Sequence, residues 1–363
     1  MFMKILWVTH RGPFHPRSGG AERAISEISS RLASMNHDVT ILSAKWEGSN
    51  GSDNMGRVKI RRFGNNVFLH LYLPIFLMKN KIEVVINDLG HAVPWPSTTI
   101  LKKKSIILFY HLHARSLPGQ VNKILVLAIT AIEKCYFLIY PSRIFVTESI
   151  TSKDDLRMLG IEESNIVLIQ LGVDLDLYHI SEKSNFPTVL YFGGYRKYKR
   201  PIEAVSIFKK ISVLIPNTKF TFIGDGPELQ NVKSEVKNQG IDDKTTFTGR
   251  LDDEALAEIV SQSWLNIHTS VTEGWGLSII EASASGTPTV AYSVPGVVDA
   301  IEDGRNGLKV KDGDMNAFVN AALKILRDPI PWQMSSRKVA EKYSWDNTAK
   351  KWDEMIRRTV GGE

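Results

Sequence analysis

The chain has 363 residues, 43% hydrophobic and 23% charged, which excludes a disordered or fibrous protein and is more than one ordinary core holds, so two domains are expected. Its single cysteine, Cys135, excludes a disulfide framework and a multi-cysteine zinc site and fits a reducing compartment. The net charge of +6 is unevenly placed: Lys and Arg outnumber Asp and Glu by six up to Phe186 and match them beyond it, so any pull on anionic membrane, phosphate-bearing substrates or nucleic acid belongs to the first half.

In chain order, MKILWVTH (3–10) reads as a strand, RGPFHPRSGG (11–20) as a long loop, AERAISEISSRLASM (21–35) as a helix and DVTILSA (38–44) as a strand. The N-terminus lacks the shape of a signal peptide. The longest apolar stretch, VFLHLYLPIFLM (67–78), carries His70 and Pro74 and falls short of the roughly 20 residues that span a bilayer. A cytosolic protein is expected. Further strands are expected in IEVVIND (82–88), SIILFYH (105–111), RIFVTES (143–149) and NIVLIQLG (165–172). The polar stretch 171–187 reads as a joint.

The second half repeats the rhythm more plainly. TVLYFGG (188–194) is a strand, PIEAVSIFKKISVL (201–214) a helix, KFTFIGDG (219–226) strand and turn, and PELQNVKSEVKNQG (227–240) a helix with proline at its first turn and glycine past its end. TTFTG, WLNIHTS, TPTVAYS and GLKV follow as strands, separated by LDDEALAEIVSQ and the helix of the 272–292 stretch, with MNAFVNAALKILRD closing the series. This alternation means parallel, doubly wound sheets. Two tandem Rossmann-like α/β domains are expected to face a cleft: 1–172, a linker at 173–187, and 188–344. The amphipathic helix at 345–360 lacks a partner in the second of them.

The stretch TEGWGLSIIEASASGTPTVAY (272–292) carries the chemistry. Glu273 and Glu281 stand eight positions apart around Gly-Trp-Gly, in a strand-to-helix turn at the ligand-binding edge of a parallel sheet. The N–H groups of Gly276, Leu277 and Ser278 open the helix and make an anion site suited to phosphate; Gly274 and Gly276 permit close backbone approach. Gly286, with Pro288 two residues on, ends the helix. A carboxylate beside bound phosphate needs another guest, and sugar hydroxyls supply it. One acid on a ribose, one on a hexose and a diphosphate between them describe a nucleotide sugar.

These residues resemble the acid-x7-acid signature of retaining glycosyltransferases of family 4, which have the two-domain GT-B fold. The likeness runs through SGGAER (18–23), GVDLDLY (172–178), YKRP (198–201), FIGDGPE (222–228), TGRLDDEAL (248–256) and YSWDNTAKKW (343–352), and so covers nearly the whole chain. It implies that Glu281 binds the ribose, that Glu273 touches the donor hexose, that Lys199 neutralises the diphosphate, and that the last helix crosses back onto the first domain. The family's arginine five residues before that lysine is absent: Gly194 stands there, with Arg196 as its candidate replacement. Gly19 and Gly20 are expected to approach the donor phosphates or the acceptor, and Arg250 and Leu251 to border the base through their backbone. The resemblance favours a histidine just past SIILFY (105–110) near the reacting carbon; His111 is the better candidate because it comes first after the apolar run, and alternation places His113 on the same side.

Asp-x-Asp letters at 174–176 and 312–314 read as hinge and helix cap, so no metal and no cofactor beyond the co-substrate is implied. The basic first domain, with its apolar, lysine-punctuated stretches, is expected to receive a lipid-linked or membrane-presented hydroxyl acceptor through peripheral contact with an anionic leaflet. A dehydrogenase is disfavoured because neither GDG at Gly224 nor GWG at Gly274 completes G-x-G-x-x-G. A nucleotide-sugar epimerase or hydrolase of the same fold is the chief rival. A nucleic-acid binder would leave the acids and glycine loops unexplained. Base, sugar and acceptor stay open.

Overall fold

In a computed structural model, described over residues 2–361, the alternating pattern folds into two parallel sheets, one in each of two units. The first unit comprises the residues up to Ala114, Lys123–Leu171 and those from Trp345 onward; the second comprises Arg115–Asn122 and Gly172–Ser344.

The first unit runs β1 (Lys4–Val8), α1 (Gly20–Ser34), β2 (Asp38–Ser43), β3 (Ser52–Met55), β4 (Val58–Arg62), α2 (Asn66–Lys79), β5 (Val84–Asp88), α3 (Pro96–Ile100), β6 (Ser105–Phe109), the start of α4 (His113–Ser116), α5 (Lys123–Lys134), α6 (Tyr136–Ile139), β7 (Ile144–Thr147), α7 (Ile150–Met158) and β8 (Ile166–Leu168). Its sheet has the order β3-β4-β2-β1-β5-β6-β7-β8. Every neighbouring pair is parallel except β3 with β4, an edge hairpin that the sequence reading did not foresee. Strands β5 and β6 are buried along their whole length, as strands covered on both faces must be. Leu6 and Val8 of β1 share a cluster with Leu69, Leu73 and Leu77 of α2. Trp7, between them, points the other way and meets Trp352 at 5.5 Å. Trp352 belongs to the last helix of the chain (Trp345–Gly361), which packs along α1 in this unit.

The second unit runs β9 (Thr188–Phe192), α8 (Pro201–Leu214), β10 (Lys219–Ile223), α9 (Leu229–Asn238), β11 (Thr245–Gly249), α10 (Asp253–Gln262), β12 (Leu265–His268), α11 (Leu277–Ala284), β13 (Thr289–Tyr292), α12 (Val297–Ala300), β14 (Gly307–Val310), α13 (Met315–Arg327) and α14 (Ile330–Ala340). Its sheet, β11-β10-β9-β12-β13-β14, is parallel throughout. Helix α14 is an addition to the sequence reading: it starts at a proline pair, with Pro329 at its N-cap and Pro331 in its first turn.

A charged residue of the joint is buried in this unit. Lys183 is 8% exposed, and its Nζ donates to Ser261 O at 2.9 Å and Thr287 Oγ1 at 2.8 Å. Burial lowers its pKa from 10.5 to about 7. Between those values the unfolded chain binds more protons than the folded one, so stability rises with pH across that window; below about pH 7 the penalty is fully present. Lys183→Met removes this dependence. Denaturant titrations at several pH values should show the stability of the wild type gaining on that of the variant by up to about 1.4 kcal/mol per pH unit above neutrality. A constant difference would refute the burial argument.

Candidate active site

The winding of the second sheet reverses once, between β9 and β12. In an open parallel sheet the crevice beyond the strand ends at such a point is where ligands bind. The segments leaving these two strands are 193–200 and 269–276, and they are stitched together. Val271 N–H donates to Tyr198 O at 2.8 Å, while Thr269 Oγ1 donates to Lys199 O at 2.8 Å and Arg200 O at 3.0 Å. This stitching brings Lys199 to Glu273, 74 residues further along the chain.

Lys199 Nζ donates to Glu273 Oε1, which also accepts from Ser270 Oγ at 2.6 Å and lies 3.2 Å from His268 Nε2. Burial alone would raise the Glu273 pKa and lower that of Lys199. The opposite charges, with His268 reinforcing the carboxylate, outweigh it: Glu273 is held well below the usual carboxylate range, and Lys199 is raised. Near neutral pH the site therefore presents a fixed ammonium against an ionised carboxylate. His268, at the end of β12, and Ser270 were not singled out in the sequence.

Helix α11 begins directly after this pair. Gly276, its N-cap, has φ 82°, a left-handed conformation that favours glycine. Its first turn has no preceding carbonyls to bond all its N–H groups, so those of Leu277 and Ser278 sit at the positive end of the helix dipole. Trp275, between Gly274 and Gly276, is buried and meets Tyr343 edge-on at 5.0 Å, which anchors the loop. Gly296 backs it so closely that a Cβ there would lie 2.2 Å from Glu273 O. Glu281 lies within α11 and is 6% exposed. Gly286 (φ 68°) follows the helix, its N–H on Ser283 O.

Arg196 is half-buried, and its charge opposes protonation of Lys199, which places the two cations in one neighbourhood. A Cβ on Gly194 would stand 4.0 Å from Arg196 Nε, so this guanidinium lies beside the place where the family's arginine would begin. Beyond β11, Arg250 is exposed and Leu251 packs against the cluster of Leu190 and Val260.

The remaining sequence candidates belong to the first unit. Gly19 is the N-cap of α1, and its N–H donates to Glu22 Oε2 at 2.7 Å; Gly20 is the helix's first residue. His111 is half-buried just past β6. His113 is fastened: its Nε2 lies 3.0 Å from Gly90 O and its N–H donates to Glu133 Oε1 at 2.6 Å. Of the Asp-x-Asp letters, Asp174 accepts from Asp176 N and Leu177 N at 3.0 Å in a turn, and Asp314 caps α13 by accepting from Ala317 N at 2.9 Å. Asp312 pairs with Arg200 at 2.7 Å. No helix among the described residues is long and apolar enough to cross a membrane.

Two family models match the chain in succession. The model for Glycosyltransferase Family 4 matches residues 18–177, and that for Glycosyl transferases group 1 matches 179–347. N-acetyl-alpha-D-glucosaminyl L-malate synthase of Bacillus anthracis is 32% identical over 151 residues, which are 42% of this chain and 38% of that one. Among solved structures, sucrose-phosphate synthase from Thermosynechococcus elongatus superposes with a TM-score of 0.85 at 19% identity, covering 99% of this chain and 100% of that one. Anabaena HepE in complex with UDP and glucose gives 0.77 at 16% identity, covering 98% and 99%.

Proposed function

Because the chain belongs to the retaining glycosyltransferases of family 4, built as two parallel α/β units of the GT-B fold, we propose that it moves a hexosyl group from a nucleotide-diphosphate sugar to a hydroxyl acceptor, without a metal ion. The observation that carries this reading is the pair of half-buried Lys199 with buried Glu273 at the sheet's switch point, set against the start of α11. Departure of the nucleoside diphosphate builds negative charge on its terminal phosphate. A fixed ammonium and two aligned N–H groups meet that charge without reorganising, which is the largest single source of rate in such reactions. Glu273, kept ionised by Lys199 and steadied by His268 and Ser270, accepts from hexose hydroxyls; Glu281 accepts from the ribose; Arg196 supplies the second cation for the diphosphate. Backbone groups of Arg250 and Leu251 border the base. Gly19, Gly20 and His111 are assigned to the acceptor-bearing first unit, with His111 preferred to His113 because it comes first after β6.

A thermal-shift screen of nucleotide sugars, started with UDP-glucose because HepE was solved with UDP and glucose, tests the donor assignment. A matching donor raises Tm, and the product it yields with an acceptor retains the anomeric configuration. A donor that is epimerised or hydrolysed with no transfer would favour the rival enzyme of the same fold.

The acceptor is proposed to be lipid-linked or presented at a membrane. Helix α2 carries the support: Val67, Phe68, Leu71 and Met78 are all more than half exposed on it, while Lys79 and Lys81 follow. Apolar side chains beside cations suit the surface of an anionic leaflet. Phe68→Ser with Leu71→Ser should reduce co-sedimentation with phosphatidylglycerol vesicles at least about tenfold, and salt should weaken wild-type binding. Wild-type protein that ignores such vesicles would end this part of the proposal.

A further inference from the structure

The first sheet also reverses its winding once, between β1 and β5. His10 follows β1 and His91 follows β5, and their rings meet edge-on at 5.4 Å. Helix α2 adds His70, whose Nε2 lies 2.9 Å from His10 Nε2. Both of these rings stack on Trp95, at 4.5 and 4.1 Å. Trp95 cannot swing away, because its indole N–H donates to Asp88 O at 2.8 Å and its backbone N–H donates to Tyr140 Oη at 2.5 Å.

We infer that the first unit carries a ligand subsite of its own at this point, where His10, His70 and His91 gather around Trp95, and that it takes a neutral hydroxyl group of the acceptor. The inference rests on the transferase reading only in naming that ligand an acceptor. It depends first on place: the position equivalent to this one in the second sheet holds Lys199 and Glu273. It depends next on hydrogen-bond chemistry. A contact between two ring nitrogens requires one to give a proton and the other to take it, so at least the accepting ring is uncharged. Burial, with the neighbouring His70, brings the His10 pKa down to about 3, and burial lowers that of His70. Uncharged imidazoles both give and take hydrogen bonds, as hydroxyls do. A phosphate or carboxylate would call for a cation instead. Finally, His10 is 6% exposed and its Nδ1 is buried without a partner, an uncommon and costly state for a polar atom unless the site is built to receive one. His70 and His91 are only half-buried, so the cluster is reachable from solvent.

The test follows the imidazole resonances of the full-length protein, labelled at histidine, during titration with myo-inositol, methyl α-D-glucopyranoside and inorganic phosphate. At least one neutral polyol should shift the His10 and His70 signals saturably, and phosphate should not. In His70→Gln the apparent Kd for that polyol should rise about tenfold or more, with UDP still raising Tm as in the wild type; His91→Asn, at an only half-buried position, repeats the comparison if the first variant fails to fold. Polyols that leave these rings unmoved, phosphate that moves them, or a variant that responds like the wild type would each overturn the inference. Failure of nucleotides to bind the wild type would instead remove the transferase reading, and the polyol result would stand by itself.

Discussion

Replacing Lys199 with alanine is expected to lower kcat about 10²- to 10³-fold while the affinity for UDP changes only a few-fold. The ammonium is fixed before the donor arrives, by Glu273 and by a backbone tied to Thr269 and Val271. Its interaction with the diphosphate strengthens as the glycosidic bond breaks, so its loss falls on the transition state more than on binding. There is a structural cost to separate from the catalytic one. Without Lys199, Glu273 is a buried carboxylate left to His268 and Ser270, and breaking a buried pair this way costs about 3–5 kcal/mol. The double variant Lys199→Met with Glu273→Gln leaves no charge stranded. It should recover much of the stability and none of the turnover. Turnover that returned with stability would mean that the lysine only holds the fold.

Glu281→Ala is expected to weaken UDP and UDP-sugar binding alike, by about 10- to 100-fold, because the group it holds, the ribose, is common to both. That range corresponds to the roughly 1.5–3 kcal/mol of hydrogen bonds to a charged group. Glu273→Gln should behave differently, sparing UDP and penalising the intact sugar nucleotide. Calorimetric titration of both ligands against both variants reads this directly. Equal affinities for the wild type and Glu281→Ala would reduce that residue to a packing role in α11.

Much of the frame was readable in the sequence because it is local. Gly286 after α11 and Asp314 before α13 are signals carried by one or two residues, and both stand where they were expected. The glutamates, glycines and lysine of the site were readable for the same reason, through short motifs. What lay hidden depends on contacts between distant residues. His268 looks like any residue of a buried strand until Glu273 folds back to within 3.2 Å of it. The fastening of His113 requires Glu133, twenty positions on and in another helix. The gathering of His10, His70 and His91 follows from sheet order, which no window of sequence contains. The β3–β4 hairpin was not foreseen, because Arg57, Lys59, Arg61 and Arg62 mask a strand alternation in which Val58, Ile60 and Arg62 are buried.

The most direct measurement is a crystal structure with an intact nucleotide sugar bound. The account predicts the diphosphate within hydrogen-bond distance of Lys199 Nζ and of the Leu277 and Ser278 N–H groups, with the ribose on Glu281. A nucleotide bound elsewhere, with Lys199 still paired to Glu273 and touching no phosphate, would contradict it.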